Sequence, residues 1–277
     1  MISYGERLAA AIAERGRLCA GIDPHPAILA SWDLPPDVNG LERCARGMVE
    51  ALGDRVPVFK PQSAFFEAYG SAGVAVLERT LSDIAGSGAL SLLDVKRGDV
   101  GSTMGGYAEA YLADGSPLAA DAITLNPYLG FGSLDTAIDR ALNSGRGVYV
   151  IALTSNPEGP QIQRATLDDG RTVGQMIIDE AANRNAGPRP GSIGVVVGAT
   201  ISGPHPDFSR LNGSILAPGL GAQGATAEDL RRIFGKSRAQ VLPAMSRELM
   251  SVGPDPARLQ DAARRALREM LAALAVR

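Results

Sequence analysis

Short apolar runs that include β-branched residues recur along the chain. Each gives way to a polar or glycine-rich stretch and then to apolar residues at helical spacing. Runs of this length, bounded by Gly, Pro, Asn or Asp, predict buried strands. Eight are found, at Leu18–Ile22, Val56–Lys60, Leu90–Asp94, Ala122–Leu125, Gly147–Leu153, Ile193–Val197, Ile215–Ala217 and Gln240–Pro243. Between them the 3.6-residue period predicts helices over Leu41–Leu52, Ser71–Ala85, Thr103–Leu112, Leu134–Asn143, Thr172–Asn185 and Ala227–Phe234. A last helix is predicted from about Asp255 to Val276, with Leu259, Ala263, Leu267, Met270 and Leu274 on one face. The N-terminal stretch reads as an amphipathic helix over 3–15, opened by a capping box from Ser3 to Glu6.

Strands that alternate with helices build a parallel sheet with crossover helices. Eight such units in 277 residues fit a closed (β/α)8 TIM barrel, a single α/β domain over 1–277. An open doubly wound sheet would carry GxGxxG after its first strand, and here "GIDPHP" follows instead. The linkers are too short for a second domain. The longest loops are 154–171, 187–192 and 198–214. The first is rich in Asn, Pro, Gly, Gln and Asp, which suits a lid over a site and equally an ordinary surface loop.

Composition narrows the function classes. The net charge is -3 and no basic run stands out, which argues against a general binder of nucleic acid or membrane surfaces. No basic stretch followed by an apolar block opens the chain, and no apolar run is long enough to span a bilayer. Cys19 and Cys44 lack metal spacing and read as reduced packing cysteines of a cytoplasmic protein. His25 and His205 are too few for a three-histidine zinc site, and no metal site is predicted. Ser102 and Ser155 have no histidine–carboxylate pattern nearby, so serine hydrolase chemistry is unsupported. The chain has 24 arginines and only three lysines, Lys60, Lys96 and Lys236. In such a chain a retained lysine suggests a need for a compact ammonium that can give up a proton.

Barrel chemistry sits at the C-terminal ends of the strands. Reading the residue after each apolar run gives Asp23, Lys60, Asp94 with Lys96, Asn126, Thr154 with Ser155, the turn from Pro218 and Gly219 through Gln223 to Gly224, and finally Ser246 and Arg247. Asp94 and Lys96 are two apart on an extended chain, so both side chains face the barrel mouth. Asp99 follows in the loop, free to fold back or to serve a neighbouring subunit. Flanking carboxylates keep a lysine charged, which suits a proton donor better than a Schiff-base nucleophile. A lone Asp-x-Lys also fits an ion pair that merely closes a strand, and both readings stay open at this point. The glycines of "PGLGAQG" allow close approach of backbone N–H groups to an anion, with a helix beginning near Thr226. Arg247 after the eighth strand can clamp the same phosphate. A tight turn with a surface arginine is the plainer alternative.

"LLDVKRGDVGST" resembles the DxKxxD signature of the orotidine 5'-phosphate decarboxylases. "FKPQSAFFEAYG", "TLNPYLG", "LTSNPEG" and "PGLGAQG" resemble the longer bacterial branch of that family, over nearly the whole chain. The resemblance implies decarboxylation of orotidine 5'-phosphate to UMP and CO2 in pyrimidine biosynthesis, without metal or cofactor. It implies that Lys96 protonates the carbon that loses CO2 and that Asp94 lies beside the leaving carboxylate. It implies that Asp99 and Thr103 come from a partner subunit, making the protein a homodimer with shared sites. Lys60 and Asp23 match residues around the ribose and the charge network, Ser155 a pyrimidine contact, and Gln223 and Arg247 phosphate contacts. The match at Arg247 is looser, because "AMSREL" departs from the glycine–arginine pair of the shorter branch. A magnesium-dependent sugar-phosphate decarboxylase or synthase on the same barrel is one alternative, but it uses an acid where this chain has Lys60. A non-catalytic nucleotide-binding protein is the other.

Overall fold

A computed structural model describes residues 1–201, 203–219 and 224–275. The alternating runs become eight parallel strands: β1 (Cys19–Ile22), β2 (Val58–Pro61), β3 (Leu90–Arg97), β4 (Ala122–Leu125), β5 (Gly147–Leu153), β6 (Ile193–Val197), β7 (Ile215–Pro218) and β8 (Val241–Met245). Neighbours pair in sequence order, and β8 returns to β1 through Ala244 opposite Cys19, so the sheet closes into a barrel. Closure leaves no sheet edge exposed.

Strand alternation divides the apolar side chains into two cores. Cys19, Val58, Leu92, Tyr149, Leu216 and Leu242 point inward and fill the barrel. Their neighbours Ala20, Phe59, Leu93, Val150, Ile215 and Val241 point outward against the surrounding helices. The ring includes helices Val38–Leu52, Gly70–Ser87, Asp135–Asn143, Val173–Arg184 and Pro256–Leu274.

The N-terminal helix Tyr4–Arg15 closes the bottom of the barrel. Ser3 accepts a hydrogen bond from the Glu6 backbone N–H, and the Glu6 side chain accepts one from the Ser3 N–H at 3.0 Å. Tyr4 and Leu8 are buried in the inner core, each contributing about 1.5–3 kcal/mol of hydrophobic stabilisation. The Tyr4 ring meets Tyr149 edge-on at 86°, and their hydroxyls lie 3.2 Å apart. This plug requires Gly147: a Cβ there would run into the Tyr4 ring.

The strands lie close to their predicted positions, with instructive differences. β3 runs on past Asp94 to Arg97, because its ladder with β4 resumes after an irregularity between Leu93 and Arg97. β2 begins at Val58 because Pro57, just before it, has no N–H to give the ladder. β8 reaches Met245. Short helices at Pro26–Ser31, Ser63–Glu67, Pro160–Gln163 and Arg247–Met250 occupy strand–helix loops where one or two turns leave no readable period. The first three precede or interrupt longer connections, and the last follows β8 directly at the barrel mouth. Among the described residues no helix is long and apolar enough to cross a membrane.

Candidate active site

The inward positions of β3 change character along the strand. Leu90 and Leu92 belong to the inner core, while Asp94 and Lys96 line a cavity of about 310 Å³ at the barrel mouth. Asp94 is the hub. Its Oδ1 accepts from the Lys96 ammonium at 2.7 Å and from the Thr124 hydroxyl at 2.8 Å. Its Oδ2 accepts from the Lys60 ammonium at 3.0 Å and from the Gln62 amide at 2.9 Å. Four donors from β2, β3, β4 and the residue after β2 thus converge on one carboxylate that is 7% exposed. Burial disfavours its charge, but the two ammoniums, with the Lys96 and Thr124 hydrogen bonds, outweigh that cost and hold the carboxyl well below the usual carboxylate range.

The two lysines differ in environment. Lys60 is buried, which works against its charge, yet the carboxylates of Asp94 and of Asp23, 4.0 Å away, raise it above the ordinary lysine value. The Lys96 side chain is half exposed, and only one short bond to Asp94 ties its tip. Its remaining ammonium protons are therefore available to a ligand in the cavity. The Lys96 main chain has φ +48°, in the left-handed region that non-glycine residues rarely occupy. Such strain, of order 1–3 kcal/mol, persists only where surrounding contacts fix it.

The rest of the cavity is less charged. Ile151, Leu153, Val196, Leu216 and Met245 make an apolar wall. Ser155 and Asn156 enter from the loop after β5, Pro218 and Gly219 from the end of β7, and Ser246 and Arg247 from the end of β8. Gly198 leaves room for Ser155, whose hydroxyl would collide with a Cβ at that position. The loop after β5 is anchored by Gln163, which accepts from the Thr154 N–H at 2.8 Å and donates to the Thr154 hydroxyl at 2.8 Å. Among the described residues the Arg247 guanidinium has no ion-pair or hydrogen-bond partner, and Arg247 is one of the residues that line the cavity. Asp23 Oδ1 is buried and accepts no hydrogen bond from the described residues. An unpaired acceptor is thus buried beside the charged cluster, and the cavity offers an unused cation after β8.

Of the residues singled out in the sequence, Asp23, Lys60, Asp94, Lys96, Ser155, Pro218, Gly219 and Arg247 line this one cavity. Gln223 lies outside the described residues. Three others lie elsewhere in the chain. Asp99 does not touch Lys96: its carboxylate accepts the Val100 N–H at 2.8 Å, at the start of helix Gly101–Leu112. Thr103 is exposed in the first turn of that helix. Asn126 is a turn-former within the chain, its side-chain oxygen accepting the Tyr128 N–H at 3.1 Å. Reading strand ends alone passes over Gln62 and Thr124 as partners of Asp94. Thr124 carries a signal nonetheless, a lone hydroxyl inside the apolar run "AITL".

The chain is similar to known proteins over nearly its whole length. Residues 16–258 match the model of the orotidine 5'-phosphate decarboxylase / HUMPS family. An orotidine 5'-phosphate decarboxylase of Salinispora arenicola is 58% identical over 99% of both chains. One of Streptomyces coelicolor is 53% identical over 96% of both. A crystal structure from Streptomyces avermitilis, assigned to the same enzyme, superposes with a TM-score of 0.96 at 52% identity, covering 100% of this chain and 97% of that one. The chain belongs to the orotidine 5'-phosphate decarboxylase / HUMPS family.

Proposed function

We propose that this family member decarboxylates orotidine 5'-phosphate to UMP and CO2, a step in pyrimidine biosynthesis, with Lys96 as proton donor. The observation that carries the proposal is the Lys96 ammonium, fixed 2.7 Å from a buried carboxylate and half open to the cavity. When the bond from the pyrimidine ring to the carboxylate breaks, CO2 leaves neutral and the electron pair stays on the ring carbon. That carbon has no conjugated sink for the charge. A preorganised ammonium stabilises the developing carbanion and then transfers a proton to it. Lys96 is left neutral and regains its proton from solvent.

The other residues serve binding and aim. Asp94, held ionised by its four donors, keeps Lys96 and Lys60 charged and in place. Asp23, which lines the cavity beside Lys60, suits a ribose hydroxyl. Ser155 suits the polar edge of the pyrimidine. Arg247, with the backbone after β7, suits the 5'-phosphate, whose binding energy pulls the substrate carboxylate toward Asp94. The magnesium-dependent alternative fits less well: Lys60 fills the space 3.0 Å from Asp94 with positive charge, where a cation would need that carboxylate.

The working form in this proposal is a homodimer in the cytoplasm, where the buried thiols of Cys19 and Cys44 stay reduced. Val100, Tyr128 and Leu129 are exposed, Tyr128 at 72%, and Val100 adjoins Asp99. Pairing two copies across this apolar face buries it and carries Asp99 and Thr103 of one copy toward the cavity of the other. The test of the activity is the absorbance change of orotidine 5'-phosphate with purified protein in excess EDTA. Turnover is expected. No turnover, or turnover only on adding magnesium, overturns the proposal.

A further inference from the structure

β3 and β4 do not pair evenly at the site. Leu93 stands opposite Ile123 and Arg97 opposite Leu125, so Asp94, Val95 and Lys96 together face Thr124 alone. A bulge of this kind re-aims side chains and leaves main-chain groups without ladder partners. The Lys96 N–H is such a group, and it donates to the Thr124 hydroxyl oxygen at 2.9 Å. A threonine hydroxyl has one proton to give, and here it goes to Asp94 Oδ1 at 2.8 Å. The same Asp94 oxygen accepts from the Lys96 ammonium at 2.7 Å.

We propose that Thr124 is a positioning residue for the proton donor: its hydroxyl ties the main chain of Lys96 to the carboxylate that receives the lysine's own ammonium. The inference rests on the decarboxylase reading of the cavity. The three hydrogen bonds form a closed ring that fixes the lysine at both ends. The base of the side chain needs this tie, because φ +48° is a conformation an untethered lysine leaves readily. Thr124 is 1% exposed, so solvent does not reach the hydroxyl to replace it. Its β-branched side chain has few rotamers, which makes it a stiff post. Removing the hydroxyl frees the main chain of Lys96 to relax and swings the ammonium away from the reacting carbon, while the groups that bind phosphate and pyrimidine stay in place.

The experiment compares the parent with Thr124→Val, which keeps the shape and loses the hydroxyl, and with Thr124→Ser, which keeps the hydroxyl. The valine variant is expected to lose between roughly tenfold and hundredfold in kcat, the scale of a misaligned reacting group. Its KM should stay within about twofold, since uniform binding is untouched. The serine variant should recover most of kcat. Should the valine variant fail to fold, Thr124→Cys carries the same comparison, because a thiol is a weak donor and acceptor. Hydrogen exchange of the Lys96 amide, followed by NMR in the absence of substrate, reads the tie directly. It should speed up roughly tenfold when the hydroxyl is lost, with Ile123 and Leu125 unchanged. Unchanged kcat and unchanged exchange in the valine or cysteine variant, or a serine variant as impaired as valine, overturns the inference. A parent without turnover overturns the decarboxylase reading instead, and the exchange rates then still decide whether Thr124 holds Lys96.

Discussion

Replacing Asp94 by Asn removes one charge and almost no volume. The wild-type carboxylate accepts from four donors, two of them ammoniums at 2.7 and 3.0 Å. An asparagine has one acceptor oxygen, and its NH2 group would face donors on the other side. Lys96 is half exposed and can turn to solvent, but Lys60 is buried, and its nearest remaining carboxylate is Asp23 at 4.0 Å. Breaking a buried ion pair by removing one partner costs about 3–5 kcal/mol, most of it the stranded charge. For a chain of 277 residues that is a fall in Tm of about 5–9 °C. The pH dependence identifies the cause. In the parent, the Lys60 pKa is raised, so its contribution is complete below the ordinary lysine value of about 10.4 and is lost only as pH rises through the higher folded value. In the variant, burial dominates and the folded pKa drops. The unfolded chain then binds more protons than the folded one, so variant stability rises with pH by up to about 1.4 kcal/mol per unit. Urea unfolding between pH 7 and 10 should therefore show the deficit of Asp94→Asn shrinking, and adding Lys60→Met should recover about 2 kcal/mol or more of it at pH 7. A deficit below about 1 kcal/mol, or one that neither pH nor Lys60→Met changes, refutes the argument that Asp94 neutralises a buried ammonium.

Three further outcomes follow from other parts of the molecule. Arg247→Ala should raise KM for orotidine 5'-phosphate by roughly tenfold to hundredfold, the worth of a charge-assisted hydrogen bond, yet leave the reaction of orotidine lacking the phosphate unchanged; equal losses with both substrates would remove Arg247 from the phosphate site. Gly147→Ala should lower stability by about 1–3 kcal/mol through collision with the Tyr4 ring, read by urea unfolding, and a neutral result would show that the N-terminal plug yields easily. Mixing inactive Asp94→Ala with inactive Asp99→Ala chains should restore activity if Asp99 acts across a dimer. No restoration, with mixed dimers shown by mass spectrometry, would place both acids' roles within one chain.

Much of this architecture is legible in the sequence, because a buried parallel strand must be apolar wherever it touches two cores. The runs at Ala122–Leu125, Gly147–Leu153 and Ile193–Val197 coincide with β4, β5 and β6. Asp94 and Lys96 stand out for the same reason: charges at inward positions of such a strand have no core role. The bulge between Leu93 and Arg97 is not legible, since it depends on how β4 sits beside β3. The parts played by Thr124 and Gln62 are hidden with it, because each acts on a residue about thirty positions away. Asn126 stands at a strand end, but the bond its side-chain oxygen accepts from the Tyr128 N–H depends on the local turn, which strand-end position alone does not reveal. Asp99 and Thr103 illustrate a different limit: within one chain Asp99 accepts the Val100 N–H and Thr103 is exposed, so any role across a pair of chains has to be read from an assembly.

The proposed reaction turns on the Lys96 ammonium as the source of the proton for the ring carbon. Single-turnover absorbance of Lys96→Ala with orotidine 5'-phosphate tests it most directly, with protein in excess and UMP binding followed by calorimetry. UMP should still bind, while no decarboxylation is seen over many parent turnover times. Conversion by the variant at close to the parent rate would contradict this role for Lys96.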